Sequence, residues 1–150
     1  MARRSLVEIF EELPKKVKHA DKAVWLREHA SPTLYYILQL AYRDGIEWAL
    51  PEGAPPFKPH KGRKGSAPSD LLRELRHMYL YLKGGEPNLK QLKREVMFGK
   101  LLEDMEERDV NTLLAIKDKS FDKLYRCPKK VIDEAFPGLL VHPFNIRFIR

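Results

Sequence analysis

Cysteine is nearly missing from this chain: Cys127 is the only one among 150 residues. A single thiol forms no intramolecular disulfide and no Cys-rich metal site, which fits a reducing compartment. At that position a half-buried structural thiol is expected, not a nucleophile. Long hydrophobic runs are missing as well. No stretch approaches the roughly 20 apolar residues that a membrane span needs, so no membrane partner is expected. Arg3 and Arg4 open the chain, but Glu8, Glu11 and Glu12 follow without a small-residue cleavage site, which argues against a signal peptide. The expected location is the cytoplasm.

Catalytic and metal-binding patterns are equally scarce. His19, His29, His60, His77 and His142 are scattered and never fall in an H-x-x-x-H or H-E-x-x-H spacing, so no metal site is expected. Gly62-Arg63-Lys64-Gly65-Ser66 lacks the G-x-x-x-x-G-K-[ST] spacing of a phosphate loop, and no strand precedes it. Asp104, Glu106 and Glu107 sit at a helix boundary, where solvated carboxylates favour the helix start without any catalytic role. The chain is therefore read as non-enzymatic, with no cofactor.

What is present is helical period and positive charge. Hydrophobic residues make up 43% of the chain and charged residues 33%, enough for a core in a soluble domain. A length of 150 residues suits one domain. Ser5 with Glu8 forms a capping box for a first helix carrying Leu6, Ile9, Phe10 and Leu13, which Pro14 ends or kinks. A second helix begins near Asp21. Ser31-Pro32 starts a third, with Leu34, Ile37, Leu38 and Ala41 on one face and Gly45 just past its end. Four prolines between positions 51 and 59 predict an extended segment running on to about Ser69. Ser69-Asp70 then caps a regular helix through Leu82, closed by Gly84-Gly85. Asn88 caps a helix whose apolar face is set by Leu89, Leu92 and Val96. A helix with Val110, Leu113 and Leu114 and a last one with Val131, Ile132, Ala135 and Phe136 complete the set. The expectation is an all-α, compact bundle of about six or seven short helices over residues 1–143, followed by an apolar and basic tail, 144–150.

The net charge is +7 and the pI near 9.5, which favours a polyanionic partner. Cations collect at helix ends and Gly/Ser turns. One cluster comprises Arg63, Lys64, Lys83, Gly84, Gly85, Lys90, Lys93 and Arg94. The other comprises Lys117, Lys119, Ser120, Lys123, Arg126, Lys129 and Lys130. Backbone N–H groups and cations at helix junctions suit phosphate oxygens. An ordinary solvated basic face is the competing reading.

Three stretches carry a family likeness: Leu34–Leu50 (LYYILQLAYRDGIEWAL), Ser69–Leu102, and Asp109–Leu139 with its closing Phe136-Pro137-Gly138-Leu139. In order and spacing they resemble the N-terminal DNA-binding domain of ATP-dependent DNA ligases, most closely the compact form in tailed-phage ligases. The chain also resembles a family of small tailed-phage proteins without an assigned activity. The ligase likeness implies a helical domain that grips duplex DNA, nicked or end-containing, mainly through the phosphate backbone. It places Lys119 and Ser120 at one phosphate-contacting turn, with Lys129 and Lys130 opening the last helix, and Lys83, Gly84 and Gly85 at an earlier basic turn. The ligase turn contains glycine where this one reads Lys-Asp-Lys-Ser. No K-x-D-G nucleophile motif occurs, so the likeness implies the DNA-binding part alone, acting in a phage-infected host cytoplasm. The alternative is a protein-interaction module on the same scaffold, docking on a replication, transcription or virion component. In that reading the alternating apolar tail, residues 142–150, adds a strand to a partner or fills a groove; a tail packed on its own domain is equally compatible. RNA shares the same charge logic.

Overall fold

The computed structural model describes residues 5–62 and 65–148. Among them are eight α-helices and no strand, an all-α bundle that holds one more helix than the upper expectation. The first turn is set by local chemistry. Ser5 Oγ accepts from the Glu8 N–H at 3.2 Å and Glu8 reaches back to the Ser5 N–H at 3.4 Å, the capping box that opens α1, Leu6–Glu11. Pro14 then sits in a 3-10 turn, Leu13–Lys15. Helix α2 is His19–Glu28, and α3, Pro32–Tyr42, starts at Ser31, whose hydroxyl accepts from the Leu34 N–H. The proline-rich segment has no regular structure.

Asp70 caps the next helix as expected, through a bond from the Arg73 N–H at 2.9 Å. Its body departs from expectation. Only α4, Leu71–Glu74, is α-helical; Leu75–Tyr81 continues as a 3-10 helix. With three residues per turn, Leu75, Met78 and Tyr81 stack on one face, and all three are buried.

Helix α5 is Gln91–Glu103 and begins after Lys90, not at Asn88. Its orientation also corrects the sequence reading. Leu92 and Val96 are 77% and 65% exposed, whereas Arg94, Phe98, Leu101 and Leu102 are buried. These four fall at i, i+4, i+7 and i+8, the spacing of one helix face, with an arginine in its first place. Helices α6 (Glu107–Lys117), α7 (Phe121–Tyr125) and α8 (Lys129–Ala135) close the bundle, and a 3-10 turn spans Leu139–Val141.

The core centres on α1, α3, α6 and α7. Phe10 meets Phe121 edge to face at 5.0 Å, and Phe121 meets Tyr42 in the same way at 5.6 Å. Helix α8 lies against α2. The C-terminal segment is packed onto its own domain. Phe144 stacks on Tyr36 at 5.3 Å, Phe148 lies 5.0 Å from the same ring, and the Tyr36 hydroxyl donates to the Ile146 carbonyl at 2.9 Å. Residues 149–150 of the expected tail lie outside the described residues.

Candidate nucleic-acid interface

The two basic clusters separate into cations that hold the fold together and cations that face water. Arg94 belongs to the first group. It is 7% exposed, and its guanidinium donates to the carbonyls of Leu80 (2.8 Å), Glu86 (3.1 Å) and Leu89 (3.3 Å) and to Gln91 Oε1 (2.5 Å). Leu80 belongs to the 3-10 helix, and Glu86 and Leu89 to the turn that joins it to α5. Arg94 organises that turn and offers nothing to a phosphate.

The Lys83-Gly84-Gly85 turn is also committed internally. The Lys83 N–H donates to the Glu47 carbonyl and the Gly85 N–H to the Leu82 carbonyl, at 2.9 and 3.1 Å. The Lys83 ammonium pairs with Glu47 at 3.2 Å. Gly84 has φ +86, and a Cβ on Gly85 would stand 1.9 Å from the Tyr79 carbonyl oxygen. Both glycines are required by backbone geometry, which accounts for them without a ligand.

The Lys117-Asp118-Lys119-Ser120 turn is largely committed internally, although Lys119 itself stays exposed. The Lys117 side chain is 2% exposed and donates to the Pro51 carbonyl at 2.7 Å and to Asp118 at 2.5 Å. Asp118 in turn accepts from the Gly53 N–H at 3.1 Å. Lys119 donates to the Leu40 carbonyl at 3.1 Å, near the C-terminal end of α3, where a cation is favourable. Burial lowers the Lys119 pKa, and Asp44 partly opposes that shift. Its φ of +60 is the backbone conformation that glycine favours. The Ser120 N–H donates to the Ala115 carbonyl at 2.8 Å, and its side chain makes no cap bond to α7. Lys83, Lys117 and Lys119 do line one shallow cleft of about 440 Å³, but Glu47, Glu52 and Asp118 line it too. Its charge is balanced locally.

The remaining expected contacts are solvent-facing. Lys90 and Lys93 are exposed at the start of α5, and Lys123, Lys129 and Lys130 are exposed on α7 and α8. None of the five makes an ion pair or side-chain hydrogen bond. Arg63 and Lys64 lie outside the described residues. The two groups belong to different neighbourhoods, since α5 packs on the 3-10 helix and α8 packs on α2.

Two cations join the α7–α8 group. Arg126 is exposed at the corner between the helices, with φ +52. Lys18, the residue before α2, had no place in either cluster. The buried Lys22 ammonium donates to the Arg126 carbonyl, and Arg27 donates to the Glu134 carbonyl at 3.2 Å. Those two bonds run in the same chain direction on both helices, so α2 and α8 lie parallel. The exposed Lys18 is one turn before Lys22 and therefore stands at the end of the molecule that carries Arg126, Lys129 and Lys130. A parallel pairing of distant segments leaves no trace in local sequence, which is why Lys18 was missed.

The corner is held rigidly. The Cys127 N–H donates to the Asp122 carbonyl at 3.0 Å, and the Tyr42 hydroxyl donates to the Cys127 carbonyl at 2.5 Å. Burial pushes the Cys127 thiol above its ordinary pKa, so it is a packed group and not an activated nucleophile. Among the described residues, no cluster of three or more His, Cys, Asp or Glu side chains is placed to hold a metal ion. No helix among them is long and apolar enough to cross a membrane.

A family model described as a family of unknown function (DUF6433) matches residues 9–123, from α1 into α7. No curated protein and no solved structure matches the chain.

Proposed function

The chain belongs to the DUF6433 family of unknown function, and we propose that it is a non-catalytic protein that grips duplex DNA through its phosphates at the α7–α8 corner, without strong sequence preference. One observation carries this reading. Lys123, Arg126, Lys129 and Lys130 are all exposed and unpaired on a corner whose backbone is tied to α2 and α3. Cations on a fixed frame lose little conformational freedom on binding, and they release counterions from the polymer. Asp122, Asp133 and Glu134 are also exposed there and limit how many phosphates fit. Lys18 extends the same end of the molecule. Duplex DNA is chosen among polyanions on the sequence resemblance of three segments to ligase DNA-binding domains.

The test is fluorescence anisotropy of a labelled duplex titrated across a range of salt concentrations. Wild type is compared with a Lys123→Gln, Lys129→Gln, Lys130→Gln triple variant. These side chains are exposed, so the fold should persist. The triple variant is expected to bind about tenfold or more weakly, with the slope of log K against log salt reduced by roughly 2–3. A triple variant that matches wild type in both quantities would remove the proposal. Running nicked duplex, single-stranded DNA and RNA beside intact duplex identifies the preferred polymer.

A further inference from the structure

Helix α5 carries a second apolar face that its own domain leaves uncovered. Leu92 and Val96 stand one turn apart at 77% and 65% exposure, while the opposite face is buried through Phe98, Leu101 and Leu102. Isolated exposed hydrophobics are ordinary, but this pair neighbours Glu95 on the helix, and Glu95 lines a cavity. A cleft of about 250 Å³ lies under the 50–56 segment, with Phe98 and Lys117 in its lining and Glu95 on α5, three residues from Leu92. That volume suits one inserted side chain better than a cofactor. The other flank of the ridge is basic. Lys93 and Lys100 are both helical neighbours of Val96; Lys93 is unpaired, and Lys100 meets only the half-buried Asp104, at 3.3 Å.

We propose that the Leu92–Val96 ridge and the adjoining cleft dock an amphipathic helix from a protein partner, with carboxylates along the flank facing Lys93 and Lys100 and one apolar side chain entering the cleft. The chemistry of the surface selects this occupant. A phosphate backbone gains nothing from an apolar ridge, and a second copy of the chain brings another net charge of +7 against the first. The inference is independent of DNA binding at the α7–α8 corner. It also assigns Lys93 to a protein interface instead of to nucleic acid.

The probe is a synthetic helical peptide of about 18 residues, with a leucine stripe flanked on one side by glutamates. Its controls are the same stripe flanked by lysines and a sequence-scrambled version. Full-length chain is titrated against each by anisotropy, and NMR shift changes map the contact. The glutamate peptide is expected to bind at least about tenfold more tightly than either control and to perturb α5. A Leu92→Glu, Val96→Glu variant should abolish that difference while leaving unfolding and duplex affinity as in wild type. If the peptides bind equally or not at all, or if the variant binds like wild type, the proposal fails. Self-association removed by the variant, read by sedimentation, would give the ridge to a second copy instead. Lost duplex affinity would give it to DNA.

Discussion

Asp109 holds a carboxyl group where ionisation is unfavourable. It lies in the first turn of α6 and is only 8% exposed. Burial raises its pKa from 3.8 to about 6; Asp70 pushes the same way, and Arg108 opposes. The folded chain therefore binds this proton more tightly than the unfolded chain. Stability falls as pH rises from about 3.8 through about 6, and the penalty is complete above that window. Asp109→Asn keeps the shape and removes the charge. It should stabilise the protein at pH 7.5 by an amount of order 1–3 kcal/mol and give almost nothing at pH 4. Urea unfolding at the two pH values checks this, and an equal effect at both would show that the carboxyl is not the cause. Arg94 is the converse case, a buried cation whose guanidinium donates to three backbone carbonyls and to the Gln91 side chain.

At the scale of elements, the turn after α6 works as a latch. Lys117 and Asp118 hold Pro51 and Gly53, and Glu103 accepts from the Lys58 N–H at 3.1 Å, so the proline-rich segment is fastened by side chains and not by a backbone ladder. Asp118→Ala should free that fastening while leaving the helices intact. The expected outcome is cleavage within residues 51–62 at a protease dose that spares wild type, with global stability lowered by roughly 3 kcal/mol because the buried Lys117 ammonium loses its carboxylate. Unchanged cleavage would mean that packing alone holds the segment. This latch also shows where sequence reading stops. Ser5 with Glu8, Ser31 with Pro32, and Asp70 could be read in advance because a cap is decided within four residues. Whether Lys117, Lys119 or Arg94 meets water or a carbonyl is decided by segments far away in the chain. Arg94 also hid the true face of α5, since an arginine in the first place of a stripe makes the stripe read as polar. The 3-10 stretch reads as α-helix in sequence because Leu75 and Met78, three apart, share a face at either period; only Tyr81, buried where an α-helical stripe would bury Tyr79, separates the two.

For the whole molecule, a net charge of +7 overstates the positive surface on offer. Lys22, Arg27, Arg43, Arg94, Lys117 and Lys119 all donate to backbone carbonyls, in a chain of short helices with many free ends. Arg108 serves the same end by bridging Glu8 and Glu11 of α1 to α6. The C-terminal strap adds a further closure. Phe144, Ile146 and Phe148 are partly buried against the core, Arg147 stands 4.2 Å over the Tyr79 ring, and Tyr36 beneath the strap is only 5% exposed. Deleting residues 143–150 uncovers Tyr36 and removes those contacts. Three partly buried apolar side chains, less the chain entropy regained, leave a net loss of about 3 kcal/mol. At this chain length that corresponds to a melting temperature lower by roughly 6–12 °C. Duplex affinity, measured where both forms are folded, should not change, because the strap shares no described contact with the α7–α8 corner. A truncated chain that melts like wild type would show that the strap contributes nothing to the fold and is free to leave it for a partner.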